Sequence, residues 1–168
     1  MKQKLSLFSL LFGVILSSFL SSCSDDEETL GVWYRRSDLD GPARCFASSF
    51  TIDDQGYLCC GMRESTKSFL KDLWRYEIYG DYWAQCADMP EGASVRRSAA
   101  SFALNGKGYV TTGAIKDEPR YLADTWEYDP QTNSWTQKDD FAGGIRYGAL
   151  GFAIKGYGYV GTGRDADN

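Results

Sequence analysis

Gly56-Tyr57-Leu58-Cys59-Cys60-Gly61, Gly108-Tyr109-Val110-Thr111-Thr112-Gly113 and Gly158-Tyr159-Val160-Gly161-Thr162-Gly163 are three versions of one pattern. The first two start 52 residues apart and the last two 50. Self-similarity at such a period marks a repeat architecture, and the flanks repeat with it. Upstream, an arginine precedes a phenylalanine by six residues each time: Arg44 and Phe50, Arg96 and Phe102, Arg146 and Phe152. Downstream, Leu70-Lys71-Asp72-Leu73-Trp74-Arg75-Tyr76 matches Leu122-Ala123-Asp124-Thr125-Trp126-Glu127-Tyr128, and no third copy follows.

Each unit reads as four short antiparallel strands. The first runs over about 47–51, 99–103 and 149–153, and the second is the Gly-Tyr string. Between them, residues 53–56, 105–108 and 155–156 carry the glycines that tight hairpin turns need. A third strand holds Trp74 or Trp126, and a fourth begins at Trp83 or Trp135. On the same pattern, Trp33 to Arg36 reads as the fourth strand of a preceding unit.

Four antiparallel strands in about 50 residues resemble the kelch repeat. Its marks here are the arginine, the glycine that ends the second strand and the paired tryptophans of the last two strands. The resemblance covers Trp33 to Gly163. It departs in one place: where the family usually closes the second strand with two glycines, this chain has Cys60-Gly61, Thr112-Gly113 and Thr162-Gly163. It implies an all-β fold, a partial kelch-type β-propeller of about two and a half four-stranded blades spanning residues 33–168. Kelch rings usually hold six or seven blades, so the chain is expected to be a truncated piece of a longer propeller, or else to close a ring by oligomerising. Open blade edges favour self-association. The recurring tryptophans are expected to pack between blades rather than to form a sugar-stacking platform.

At the start, Lys2 and Lys4 precede an apolar run from Leu5 to Phe19, too short to span a bilayer as a helix. Leu20-Ser21-Ser22-Cys23 then resembles a bacterial lipobox. That resemblance implies a signal peptide over residues 1–22, a lipidated Cys23 and a membrane partner reached through the lipid. The expected location is the outer membrane or cell surface of a Gram-negative bacterium, with a periplasm-facing protein as the alternative. Residues 23–32 form an acidic tether, either a surface-export signal or a plain spacer. Removing 22 residues and two lysines leaves 146 residues with 16 basic and 23 acidic side chains, a net charge of −7.

Composition excludes much chemistry. The 168 residues contain no histidine, so His-liganded copper or zinc, a Ser-His-Asp triad and a Cys-His pair are all unavailable. A net charge of −5 argues against a nucleic-acid partner. Neither cofactor nor metal is expected: no cysteine pair has CxxC spacing, and Asp165, Asp167 and Asn168 lack the glycine and distal glutamate of a calcium loop. Of the remaining cysteines, pairing Ile52 with Tyr57 sets Phe50 opposite Cys59 and Ser49 opposite Cys60, and leaves Cys45 four residues further along, about 13 Å, beyond disulfide reach. Thiols are expected, with a Cys45 to Cys86 bridge as the alternative.

Candidate ligand residues are Arg44, Arg96 and Arg146. They start the innermost strands at the face where the fourth-to-first and second-to-third loops emerge. Either they bond a neighbouring blade's backbone or carboxylate, or they converge on an anionic ligand. Arg120 and Tyr121 join them from a loop that varies between copies, where recognition tends to be built. Asp72 and Asp124, repeated before the tryptophan strand, read as hydrogen-bond acceptors rather than catalysts. Two functions follow: a lipid-anchored module binding carbohydrate or protein, or an enzyme of the sialic-acid mutarotase type that the kelch resemblance brings. Copper-oxidase chemistry of the galactose-oxidase kind, which depends on histidine, is excluded.

Overall fold

The computed structural model describes residues 31–116 and 120–165. The leader, Cys23, most of the tether, Asp167 and Asn168 lie outside these residues. The chain divides into two units between Arg35 and Arg36. Of the first unit, residues 31–35 are described, and they take part in no strand. Trp33 is 96% exposed. The fourth strand expected over Trp33 to Arg36 is therefore absent. A strand is held by its neighbour's backbone groups, and among the described residues none pairs with this segment.

The second unit is all β. Its strands are β1 Arg44–Cys45, β2 Ser48–Ile52, β3 Gln55–Cys59, β4 Met62–Arg63, β5 Leu73–Glu77, β6 Tyr82–Gln85, β7 Ala100–Leu104, β8 Lys107–Thr111, β9 Thr125–Asp129, β10 Ser134–Lys138, β11 Leu150–Ile154 and β12 Tyr157–Gly161. Strands β2-β3-β5-β6 form one four-stranded antiparallel sheet, β7-β8-β9-β10 a second, and β11-β12 the first half of a third. Strands β1 and β4 pair separately. β7 lies between β2 and β11, so the innermost strands stand side by side. This is a partial β-propeller whose sheets do not close into a ring.

The hairpins are tighter than the glycine positions suggest. Each first strand turns through two residues: Asp53-Asp54, Asn105-Gly106 and Lys155-Gly156. Asn105 and Gly106 have φ of 51° and 72°, and Lys155 and Gly156 have 48° and 82°. Positive φ at both positions matches the twist of the flanking strands. Ile52 thus pairs with Gln55, not Tyr57, and Phe50 pairs with Tyr57. The two-residue slip keeps every side chain on its expected face. It also sets up a stacked aromatic pair in each unit: Phe50 and Tyr57 with centroids 5.1 Å apart, Phe102 and Tyr109 at 5.0 Å, Phe152 and Tyr159 at 5.3 Å. Ser48, rather than Phe50, faces Cys59. Cys45 lies on the separate β1-β4 ladder opposite Met62. The four described cysteines are free thiols, Cys59 and Cys60 buried, Cys45 and Cys86 half-buried.

The core lies between the first two sheets. Phe50, Ile52, Tyr57, Cys59 and Leu73 on one side meet Val110, Trp126 and Tyr128 on the other, with Met89 and Ala93 of the connecting segment beneath them. Trp126 is buried, while Trp74, Trp83 and Trp135 are half-buried. The segment between sheets repeats as faithfully as the strands. Trp135 donates its indole N–H to the Ala87 carbonyl and Asn133 accepts from the Ala87 amide. Trp83 and Asp81 treat Ser37 in the same way. The linker before the first sheet therefore makes the same contacts as the segment between the first and second sheets.

Candidate functional site

The repeated arginines lie where the loops emerge, and the structure gives each an internal task. Arg44 donates to both oxygens of Asp72, at 2.7 and 2.6 Å, and to the Cys60 carbonyl at 3.0 Å. Arg96 does the same with Asp124, at 2.7 and 2.6 Å, and with the Thr112 carbonyl at 3.2 Å. The indole N–H of Trp74 or Trp126 donates to the same carboxylate. Burial alone would push Asp72 upward, but the hydrogen bonds from Arg44 and Trp74 outweigh it and hold the carboxyl below its usual range. Arg146 meets no carboxylate among the described residues; it donates to the Thr162 and Gly143 carbonyls and lies 5.3 Å over the Phe141 ring.

These contacts explain the departure at the end of the second strand. Cys60, Thr112 and Thr162 have φ of 62°, 64° and 65°, and each following glycine is positive as well. A side chain in this left-handed region costs about 1–2 kcal/mol. The carbonyl of each strained residue is the one its arginine grips. Each arginine thus clamps the turn that leads from the second strand into the variable loop.

The loop is then stitched to the next unit. Gly61 donates to the Arg96 carbonyl and Arg96 to the Leu70 carbonyl. Gly113, Arg146 and Leu122 repeat the arrangement one unit on. With the first arginine facing inward, the residue after it reaches the rim: Cys45, Arg97 and Tyr147. The Arg97 guanidinium lies 5.1 Å over the exposed Phe46 ring and 5.4 Å from the Phe69 ring, and its buried Nε has no hydrogen-bond partner. Tyr147 stacks on Tyr121 with centroids 4.7 Å apart. Ala114 joins the two groups, its backbone bridging Arg97 on one side and Tyr121 on the other. Arg120 is exposed beside Tyr121.

Of the residues expected from sequence, Tyr121 and Arg120 therefore lie at the rim, while Arg44 and Arg96 are enclosed behind it. Arg97, Tyr147, Phe46 and Phe69 escaped the sequence reading. Their signal was variation: the place after each repeated arginine holds three different residue types. A cleft of about 440 Å³ is lined by Pro42, Ala43, Arg63, Glu64 and Ser65. The row of innermost strands is different in kind. Ala47, Ser48, Ser49, Ala99, Ala100 and Ser101 line a shallow recess. Two of its three serine hydroxyls are used internally, Ser48 donating to the Ala99 carbonyl and Ser101 to the Ser49 carbonyl. Among the described residues no group of three histidine, cysteine, aspartate or glutamate side chains is placed to hold a metal.

A stretch of 58 residues is 41% identical to the N-acetylneuraminate epimerase of Yersinia enterocolitica serotype O:8 / biotype 1B. The match takes in 32% of this chain and 14% of that protein, so the chain spans a small part of the relative's length. No protein-family model matches the chain. With the four-stranded sheets, this distant partial similarity fits a kelch-like fold.

Proposed function

We propose that this chain is a kelch-type portion of a lipid-anchored envelope protein that binds a carbohydrate carrying a carboxylate. The observation that carries this reading is the Arg97 guanidinium laid over Phe46 and Phe69 beside the Tyr121-Tyr147 stack. Aromatic faces suit the apolar faces of a sugar ring, and a planar guanidinium suits a carboxylate. The similarity to an N-acetylneuraminate epimerase supports an acidic sugar as the ligand class. Titration of the chain with N-acetylneuraminate by saturation-transfer NMR tests it. Arg97→Ala should weaken binding about tenfold or more, the worth of a hydrogen bond to a charged group. Lys138→Ala, on the outer strand β10, should leave it unchanged. Equal binding by both variants at equal folded fraction would move the site elsewhere.

Catalysis of the epimerase kind is the second reading, favoured by the same comparison. NMR of the sugar with the protein separates the two, since an enzyme would convert it at substoichiometric protein and a binder would not. Anchoring through Cys23 belongs to the same proposal, on the strength of the Leu20-Ser21-Ser22-Cys23 sequence. Mass spectrometry of the membrane fraction should find residues 1–22 removed and acyl chains on Cys23.

A further inference from the structure

Three sulfur atoms meet in the core where the second strand of the first sheet ends. The Cys59 and Cys60 Sγ atoms lie 3.1 Å apart, and Cys60 Sγ lies 3.6 Å from Met89 Sδ. None of the three residues is more than 1% exposed. Cys59 ends β3, and Met89 comes from the segment that connects β6 to β7. Adjacent side chains of a regular strand point to opposite faces. The left-handed turn at Cys60, with its φ of 62°, is what brings both thiols to one place, and the Arg44 bond to the Cys60 carbonyl holds that turn. No spacing motif marks the cluster, because Met89 stands 29 residues beyond Cys60.

The next unit builds the same three places without sulfur. Thr111, Thr112 and Phe141 stand 52 residues after Cys59, Cys60 and Met89. Phe141 donates its amide to the Ala123 carbonyl just as Met89 donates to Lys71. Thr112 keeps the left-handed turn, with a φ of 64°. Hydroxyls take over the buried positions: Thr111 accepts from the Thr125 hydroxyl and Thr112 from the Ala100 amide. The fold thus does not require sulfur here, yet all three places carry it together in the first unit and none does in the second.

We infer that Cys59, Cys60 and Met89 form a binding site for a monovalent copper ion, held by two thiolates and a thioether. Soft sulfur ligands select Cu(I). Structural zinc sites take four ligands, and among the described residues no carboxylate joins the two cysteines to make a larger set. Bonds from such an ion to sulfur run about 2.3 Å, so a linear pair of thiolates would need its sulfurs about 4.6 Å apart and a trigonal set about 4 Å. The trigonal set lies nearer the spacing found, and it uses the thioether. On binding, the two thiols release their protons, the thioether donates a lone pair and the copper stays monovalent. Asp88 and Pro90, on either side of Met89, are exposed, so the ion's way in is past this segment and not through the sheets. The site uses none of the residues proposed to hold the sugar.

Copper(I) supplied as its bicinchoninate complex to the full chain, purified without oxygen, tests this site. One ion per chain should pass from the chelator to the protein, with a shell of sulfur alone in X-ray absorption, and should raise the melting temperature. Cys60→Thr, which copies Thr112, should abolish the transfer. Met89→Leu, close in volume and without sulfur, should weaken binding about tenfold or more while the metal-free chain melts as before. Cys86→Ala removes a different thiol and should leave the transfer unchanged. The inference is overturned if copper stays with the chelator, if Cys86→Ala removes the binding, if Met89→Leu binds as tightly as the native chain, or if zinc(II) is held equally well. It is overturned as well if the Cys59-Cys60 peptide of the purified chain lacks two hydrogens, which would mark a disulfide in place of the site.

Discussion

Arg96 is the largest fully buried side chain among the described residues, and it is a cation. Its removal would leave Asp124 with its charge, largely enclosed and without the partner that grips both oxygens. Breaking such a pair from one side costs about 3–5 kcal/mol, and the strained Thr112 turn would lose its clamp at the same time. Arg146 occupies the same place in its unit, but bonds two carbonyls and no carboxylate. Arg146→Ala should therefore cost about 1 kcal/mol. Urea unfolding of both variants checks the contrast, and equal losses would show that the carboxylate contributes nothing. At this scale the sequence was legible in part. The arginines and aspartates each stood out by repetition, 28 residues apart in both complete units. Their pairing did not, because separation along a chain says nothing about approach in space. Arg97 and Tyr147 were hidden for the opposite reason, since they follow the repeated residue and do not themselves repeat.

Glycine positions fix how the sheets fit together. Gly108→Ala would force a Cβ into the Phe50 ring, an overpacking that costs about 1–3 kcal/mol. Gly56→Ala, at the same position of the first sheet, meets open space and should change stability by no more than about 0.5 kcal/mol. Thermal melts of the two variants at low protein concentration separate the effects, and a loss of the same size in both would mean that the ring-on-glycine contact is not what joins the sheets. The repeating Phe and Gly-Tyr elements were legible because strands and turns leave local marks. The expected register is two residues off because Gly56 and Gly108 look like turn glycines in the sequence, whereas both belong to strands. The strand expected at Trp33 to Arg36 shows a different limit. Trp33 stands 50 residues before Trp83, in the place of a fourth-strand tryptophan, but a tryptophan at the right spacing does not make a strand without a partner backbone.

Across the whole molecule, stability in a row of repeats is the sum of each unit and its contacts with its neighbours. The second sheet has both. Val110, Trp126 and Tyr128 are buried against the first sheet, and Phe102 covers Gly158 of the third. The β11-β12 pair touches a neighbour on one side only and leaves its aromatic face in water. Local opening should follow the same gradient. Native-state hydrogen exchange on dilute protein should find the slowest amides in β8 and β9, with β3 and β5 next, since the linker near Ser37 and Gly41 covers part of the first sheet's outer side. Amides of β12 should exchange at least tenfold faster than those of β8, because one strand edge is unpaired and one sheet face is uncovered. If β12 exchanged as slowly as β8 in dilute solution, the sheets would be opening as a single unit and the nearest-neighbour account would fail.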